Sequence, residues 1–287
     1  MYEISLLTVM SFSVIFALSL NLITGFCGQI SLGHAAFYGI GAYSAALFTT
    51  GGGSFWLALP IAMAVAGFFG FIVGFASLRV RHDFLAITTM GVGFLFTGFV
   101  RQQEFLGGEE GIAGIPDPGI GQIPYMLLCA AFAAAVIAFS LYLKRSWMGH
   151  AFDAIATDED TARTLGIDVA RYKLTAFVFG TGLAGLAGAL FAHYVKFVEV
   201  ESFDFIESIS VLAMVIVGGI GSIWGVVVAA AVLSVLPLLL QVFADYKLLI
   251  YGVLLFTVMY FAPGGVDSLM QTLWRRISGR QRRDKGQ

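Results

Sequence analysis

Apolar residues run through this chain in blocks far longer than the alternation of a strand or the single stripe of a surface helix. Between Glu3 and Arg79 lie 75 consecutive positions without Asp, Glu, Lys or Arg, and His34 is the one histidine among them. A helical bilayer crossing takes about 20 residues, so this stretch alone predicts several. Blocks of suitable length fall at 4–24, 32–50, 55–78, 84–100, 123–143, 174–195, 206–222, 223–243 and 247–262. They predict an all-α, polytopic integral membrane protein with about nine transmembrane helices, within a range of eight to ten. The uncharged run from Ser208 to Phe243 is too long for one span. The break is placed at Gly218-Gly219-Ile220-Gly221-Ser222, where clustered glycines weaken a helix. The block 84–100 sits near the short limit for a full crossing.

Composition reinforces the pattern. The 287 residues are 59% hydrophobic and only 12% charged, against roughly 25% charged in soluble domains. Mean hydropathy is +0.89. A single large soluble domain is excluded, because it would lack the charge to cover its surface. The formal net charge of -2 says nothing about nucleic acid, but no interleaving of basic and aromatic residues suggests a base-stacking surface, and that class of partner is set aside. Cys27 and Cys129 lie in or beside apolar runs without metal-ligand spacing and read as small hydrophobes, so neither a metal site nor a disulfide framework is expected. The opening residues lack the positive n-region of a signal peptide, which predicts that the first apolar block is retained as a span.

Orientation follows from the distribution of Lys and Arg, which favours cytoplasmic loops. With the N-terminus outside, nine crossings place 13 of the 16 basic residues in the cytoplasm. Arg101, Lys196 and Lys247 alone fall outside, and the C-terminus is cytoplasmic. The outer loops 101–122 and 196–207 are acidic. Residues 1–265 then form one membrane-spanning domain with a long cytoplasmic loop at 144–173, and 266–287 form a basic cytoplasmic tail suited to an anionic leaflet. Small residues recur in the spans, as in Gly67 to Gly74 and Phe179 to His193, and predict close helix packing in lipid.

Several chemistries are missing. No Gly precedes any of the five lysines, so the phosphate-cradling GxxxxGK[ST] loop is absent. Gly39-Ile-Gly41 and Gly219-Ile-Gly221 lie in apolar sequence without the strand and acidic residue of a dinucleotide site. No Asp, Glu, Lys or Arg falls in the middle of an expected span, which disfavours a proton or ion relay. The four histidines are dispersed and form no catalytic or metal pattern. No cofactor and no enzymatic activity are expected. What remains is a path for a solute, moved by energy supplied from elsewhere.

The loop from Lys144 to Lys173 is longer than a helix connection requires, and it looks structured. Met148 to Ala156 suit a short helix. Thr157 followed by Asp160 resembles a capping box, and Asp158 to Asp160 favour the positive end of a second helix, which Gly166 is placed to stop. Phe152, Ile155, Leu165 and Ile167 must bury against something, either the chain's own membrane domain or a cytoplasmic partner.

At this point four blocks carry a resemblance. "GFCGQISLGHAAFYGIGAYSAAL" (25–47), "GGEEGIAGIP" (107–116), "RSWMGHAFDAIATDEDTARTLGI" (145–167) and "VIVGGIGSIWGVVVAAA" (215–231) occur in order over nearly the whole chain. Together they resemble the branched-chain amino-acid ABC-transporter permeases, and among these the M-type subunit. The resemblance implies a multi-pass permease of a bacterial inner (cytoplasmic) membrane. Its partners would be a homologous H-type permease, two cytoplasmic ABC ATPases and an extracytoplasmic solute-binding protein, with membrane lipid around it. It also implies that the cytoplasmic loop carries the coupling helix that docks into an ATPase, which maps to Asp153, Ala154, Ile155, Asp158, Glu159, Ala162 and Gly166. The sequence departs from the family pattern at His150 and at Ala156-Thr157, where Arg is common. Urea, short-amide and aromatic-acid permeases share much of the pattern, so these substrates stay open beside branched-chain amino acids, as does an ion-coupled carrier.

Gln29, Ser31 and His34, with Ser222 on the corresponding side of a later span, are the candidate lining of the pathway. Uncharged donors and acceptors hydrate a zwitterion in passing without trapping it. Capping and turn formation account equally well for Gln29 and Ser31, and for His34 burial against backbone partners is the preferred reading.

Overall fold

Small residues set the architecture. In a computed structural model, which describes residues 2–77 and 82–239 together with 252, 253, 256, 257, 265 and 266, the long helices pack around one glycine-rich axis. Helix α1 spans Tyr2–Leu20 and widens into a single π-type turn at Asn21–Phe26. A sharp turn leads to α2 (His34–Thr50), followed by α3 (Phe55–Ser77) and α4 (His82–Gln102). Then come a 3-10 turn at Glu104–Leu106, the short strand β1 (Ile112–Ala113) and α5 (Gln122–Arg145). Two short helices, α6 (Trp147–Thr157) and α7 (Glu159–Thr164), fill the connection to α8 (Val169–Val195). Strand β2 (Phe197–Val198), a 3-10 turn at Val200–Phe203, α9 (Phe205–Gly218) and α10 (Ile223–Leu239) complete the described chain.

The protein is all-α apart from one two-stranded ribbon. By length and composition, four helical stretches suffice to cross a membrane: Glu3–Phe26, Phe55–Ala76, Gln122–Arg145 and Val169–Val195. Helices α2, α4, α9 and α10 occupy four further expected blocks. The ninth, 247–262, and the basic tail beyond residue 266 lie outside the described residues. The break expected at Gly218–Ser222 is present: α9 ends at Gly218, and Gly219 and Gly221 both take positive φ, 106° and 78°.

Helix α8 is the axis, with α1 antiparallel and α2 parallel to it. Phe12 of α1 meets Phe191 at 5.7 Å, while Phe37 of α2 meets Phe177 at 5.7 Å. At the α2–α8 crossing a Cβ on Gly41 would stand 2.3 Å from Gly185 Cα, so the two backbones are in direct contact. This is the close approach expected of small residues in lipid, where association depends on van der Waals contact.

The ends of the bundle differ. At one end the two acidic loops join in an antiparallel ribbon, Ile112 opposite Val198 and Ala113 opposite Phe197. Two cross-loop ion pairs support it, Lys196 with Asp117 at 2.5 Å and Arg101 with Glu201 at 3.9 Å. Lys196 sits at φ 60°, the one positive φ outside glycine among the described residues. Its ammonium holds the Asp117 carboxyl below the usual carboxylate range. At the other end lie α6 and α7. Nothing in the hydrophobic pattern predicts the ribbon, because strands of two residues are too short to alternate.

Candidate translocation turn and coupling loop

The turn between α1 and α2 is where the polar residues of the opening motif fold together. Its backbone closes on itself: the Gln29 N–H donates to the Ile23 carbonyl at 3.1 Å, and the Thr24 hydroxyl donates to the Gln29 carbonyl at 2.9 Å. The Leu32 N–H donates to Thr89 Oγ1 of α4 at 3.0 Å, and the Ala35 N–H to Ser208 Oγ of α9 at 3.1 Å. The turn therefore ties α1 and α2 to α4 and α9.

The side chains singled out from sequence point into protein. Gln29, Ser31 and His34 are buried, at 3%, 0% and 0% exposure. His34 stacks on Phe16 at 5.4 Å, and its Nε2 lies 2.8 Å from Ser19 Oγ. The Ser19 hydroxyl also lies 2.6 Å from the Phe16 carbonyl and so links it to the His34 ring, whose other nitrogen is Nδ1. That Nδ1, Gln29 Oε1 and Ser31 Oγ all lack a hydrogen-bond partner among the described residues. None of the three residues lines an open surface in this state. The exposed part of the turn is Ile30, at 53%.

Ser222 stands at the start of α10. Its Oγ accepts from the Gly225 N–H at 3.1 Å and caps α10. The break it belongs to is held by a residue that sequence reading missed, the buried Asn21 in the π-type turn. Asn21 Oδ1 accepts from the Gly221 N–H at 3.0 Å, and Nδ2 donates to the Ser222 carbonyl at 3.1 Å. One amide side chain thus replaces two partners that the broken helix lost. Gly25 makes room for it, since a Cβ there would lie 2.0 Å from Asn21 Oδ1. From α5, Lys144 donates to the Gly221 carbonyl at 2.6 Å with its ammonium 5.5 Å from the Phe26 ring centre. A lone Asn inside an apolar block was the available signal.

The loop at the opposite end from the ribbon folds as two capped helices. Ser146 caps α6 through the Gly149 N–H, and Asp158 caps α7 through the Thr161 N–H at 2.9 Å. The cap is therefore Asp158, not the expected Thr157, whose hydroxyl turns back to the Asp153 carbonyl at 2.8 Å. That N–H holds the Asp158 carboxyl below its ordinary range. Gly166, at φ 82°, stops α7 as expected. Glu159 pairs with Lys173 of α8 and, at 3.6 Å, with Arg163.

Burial divides the seven candidate coupling residues. Asp153, Asp158 and Gly166 are exposed, and Ala154 and Glu159 are half-buried. Ile155 and Ala162, each 1% exposed, face the chain's own bundle together with Phe152 at 0%. These apolar side chains seat the loop on the membrane domain and stand off the outer surface, whereas Leu165 is 72% exposed and Trp147 77%. The seat is the turn itself: Gly28, at φ 72°, would place a Cβ 3.1 Å from Ala156 Cα of α6. The exposed face of the loop is thus one helix thickness from the turn that joins α1 to α2. Among the described residues no group of His, Cys, Asp and Glu is arranged to hold a metal.

The helical bundle has the apolar spans of a membrane protein, and sequence comparison gives it a family of permease components. Residues 3–262 match the family described as branched-chain amino acid transport system / permease component, and the chain belongs to it. It is 33% identical over 308 residues to the high-affinity branched-chain amino acid transport system permease protein LivM of Salmonella typhimurium, covering 96% of this chain and 72% of that one. To LivM of Escherichia coli it is 35% identical over 284 residues, covering 88% and 67%. To the high-affinity branched-chain amino acid transport system permease protein BraD of Pseudomonas aeruginosa it is 27% identical over 291 residues, covering 91% and 92%. No solved structure matches the chain.

Proposed function

We propose that this chain is one permease subunit of an ABC importer for branched-chain or related amino acids, with no enzymatic activity of its own. It forms the pathway with a homologous H-type permease, takes its energy from two cytoplasmic ATPases and receives solute from an extracytoplasmic binding protein. It lies in a bacterial inner membrane with the ribbon end outside and the α6–α7 end in the cytoplasm. Residues 1–265 serve as one permease domain and 266–287 as its basic tail. The observation that carries the reading is the contact of Gly28 with Ala156: a push on the exposed residues of α6 and α7 reaches the α1–α2 turn through backbone, without a flexible side chain between.

In this reading Asp153, Asp158 and the neighbourhood of Gly166 meet the ATPase, while Ile155 and Ala162 transmit the load inward. Gln29, Ser31 and His34 shape the turn that moves, and Ser222 caps the helix it moves against. The test is leucine uptake into proteoliposomes holding the full complex. Uptake requires ATP and all subunits, and scrambling 144–173 abolishes it. Accumulation by the permeases without ATPases would establish an ion-coupled carrier instead. A companion binding protein that takes urea or a short amide rather than an amino acid would change the substrate and leave the mechanism in place.

A further inference from the structure

Between α4 and α9 lies a cavity of about 350 Å³ that neither the turn nor the loop explains. On α4 its wall is Met90, Gly93, Phe94, Thr97 and Arg101, a single stripe at three- and four-residue intervals. The stripe runs about 16 Å along the helix axis. Phe205 and Ser208 of α9 face it, Leu32 of the α1–α2 turn contributes at one side, and Glu201 and Asp204 join Arg101 at the ribbon end.

The chemistry changes along this stripe. At the ribbon end both signs of charge are present, and the Arg101–Glu201 pair is loose at 3.9 Å, with side chains 50% and 77% exposed. Such a pair holds little energy and exchanges readily for another partner. About two turns deeper, the rings of Phe94 and Phe205 meet at 6.0 Å across the space between the helices. Beyond them the wall is Met90, Gly93 and Leu32.

We propose that this cavity is the chain's share of the substrate path, and that it selects an α-amino acid with an apolar side chain. The inference rests on the transport reading above and deepens it. Arg101 offers a planar fork of donors to the α-carboxylate, and Glu201 and Asp204 offer acceptors to the α-ammonium. The Phe94–Phe205 pair and Met90 face the side chain. A neutral urea or amide has no use for paired charges at the mouth. The turn contributes Leu32 to this wall while Gln29, Ser31 and His34 stay behind it, so the signal that marked the turn in the sequence sits one layer away from the solute.

Cys27 and Cys129 are both buried, so a cysteine placed on this wall reports on itself. In proteoliposomes of the whole complex, Thr97→Cys is treated from the ribbon side with a charged, water-soluble methanethiosulfonate, and leucine uptake is compared before and after. Modification lowers uptake about tenfold or more, the scale of one lost charge-assisted contact. Excess leucine with its binding protein slows the modification. Phe69→Cys, on the exposed apolar side of α3, does not react. Independently, Arg101→Gln lowers leucine uptake about tenfold, and Arg101→Lys restores part of it. An inert Thr97→Cys, a modified Thr97→Cys that transports as before, or an Arg101→Gln complex at the parental rate overturns the assignment. A parental complex that takes up no leucine overturns instead the transport reading beneath it.

Discussion

Two places in this bundle interrupt an apolar helix with glycine, and they solve the resulting polar problem in opposite ways. At Gly219–Ser222 the freed backbone is met by Asn21 and Lys144, and Ser222 caps the next helix. At Gly28–Gly33 the backbone is closed, but Gln29 Oε1, Ser31 Oγ and His34 Nδ1 are buried without a partner among the described residues. A buried polar group without a partner costs about 1–3 kcal/mol. The first break is a clamp, and the second carries three buried polar atoms unmatched among the described residues. It is also the second that α6 touches.

The comparison breaks most readily at the clamp. Asn21→Ala strips partners from the Gly221 N–H and the Ser222 carbonyl and costs about 2–4 kcal/mol. The purified protein melts roughly 5–10 °C earlier, on the scale of a few degrees per kcal/mol, and an unchanged melting curve would refute the clamp. Next comes the seat: Gly28→Val forces a branched side chain into positive φ and against Ala156, costing about 1–3 kcal/mol. In the assembled complex it lowers ATP-driven uptake more than ATPase binding, and equal losses of both would argue against transmission through this contact.

Lys144→Met removes one donor from the Gly221 carbonyl and costs about 1 kcal/mol, a small but measurable shift in melting. Ser31→Ala sharpens the contrast in the other direction. Deleting a hydroxyl that has no partner among the described residues leaves melting unchanged or raises it, while uptake falls if the turn must expose that group during the cycle. Lower stability with normal uptake would sink that contrast. Smallest of all is Asp117→Asn at the ribbon. Because Lys196 depresses the Asp117 carboxyl, its stabilisation is present above the unfolded value near pH 3.9 and is lost as pH falls through the lower folded value. Parent and variant therefore differ slightly in melting at pH 7 and converge in strong acid.

Much of the fold was legible because lipid imposes length. Eight of the nine expected blocks coincide with described helices, and the break at Gly218–Ser222 was readable from its glycines. The loop helices were readable from Gly166 and the acids around Asp158. The site was harder. An uncharged run reads the same whether a side chain faces lipid, a neighbour or a path, so burial of His34 and a turn role for Gln29 and Ser31 stood beside the pathway reading without a residue to decide between them. The α4 wall was invisible for the same reason: Met90, Phe94 and Thr97 look like any span until α9 is set beside them. Asn21 stood in plain view, yet its importance comes from residues 200 positions away.

The crossing of α2 and α8 carries one more consequence. Where Gly41 meets Gly185 there are no rotamers to change and no methyl groups to compress. Deformation by side-chain rearrangement is closed to this pair, and drawing the two backbones apart there would open a gap that neither glycine has a side chain to fill. Paired probes on the two helices at this crossing would keep a fixed spacing during transport.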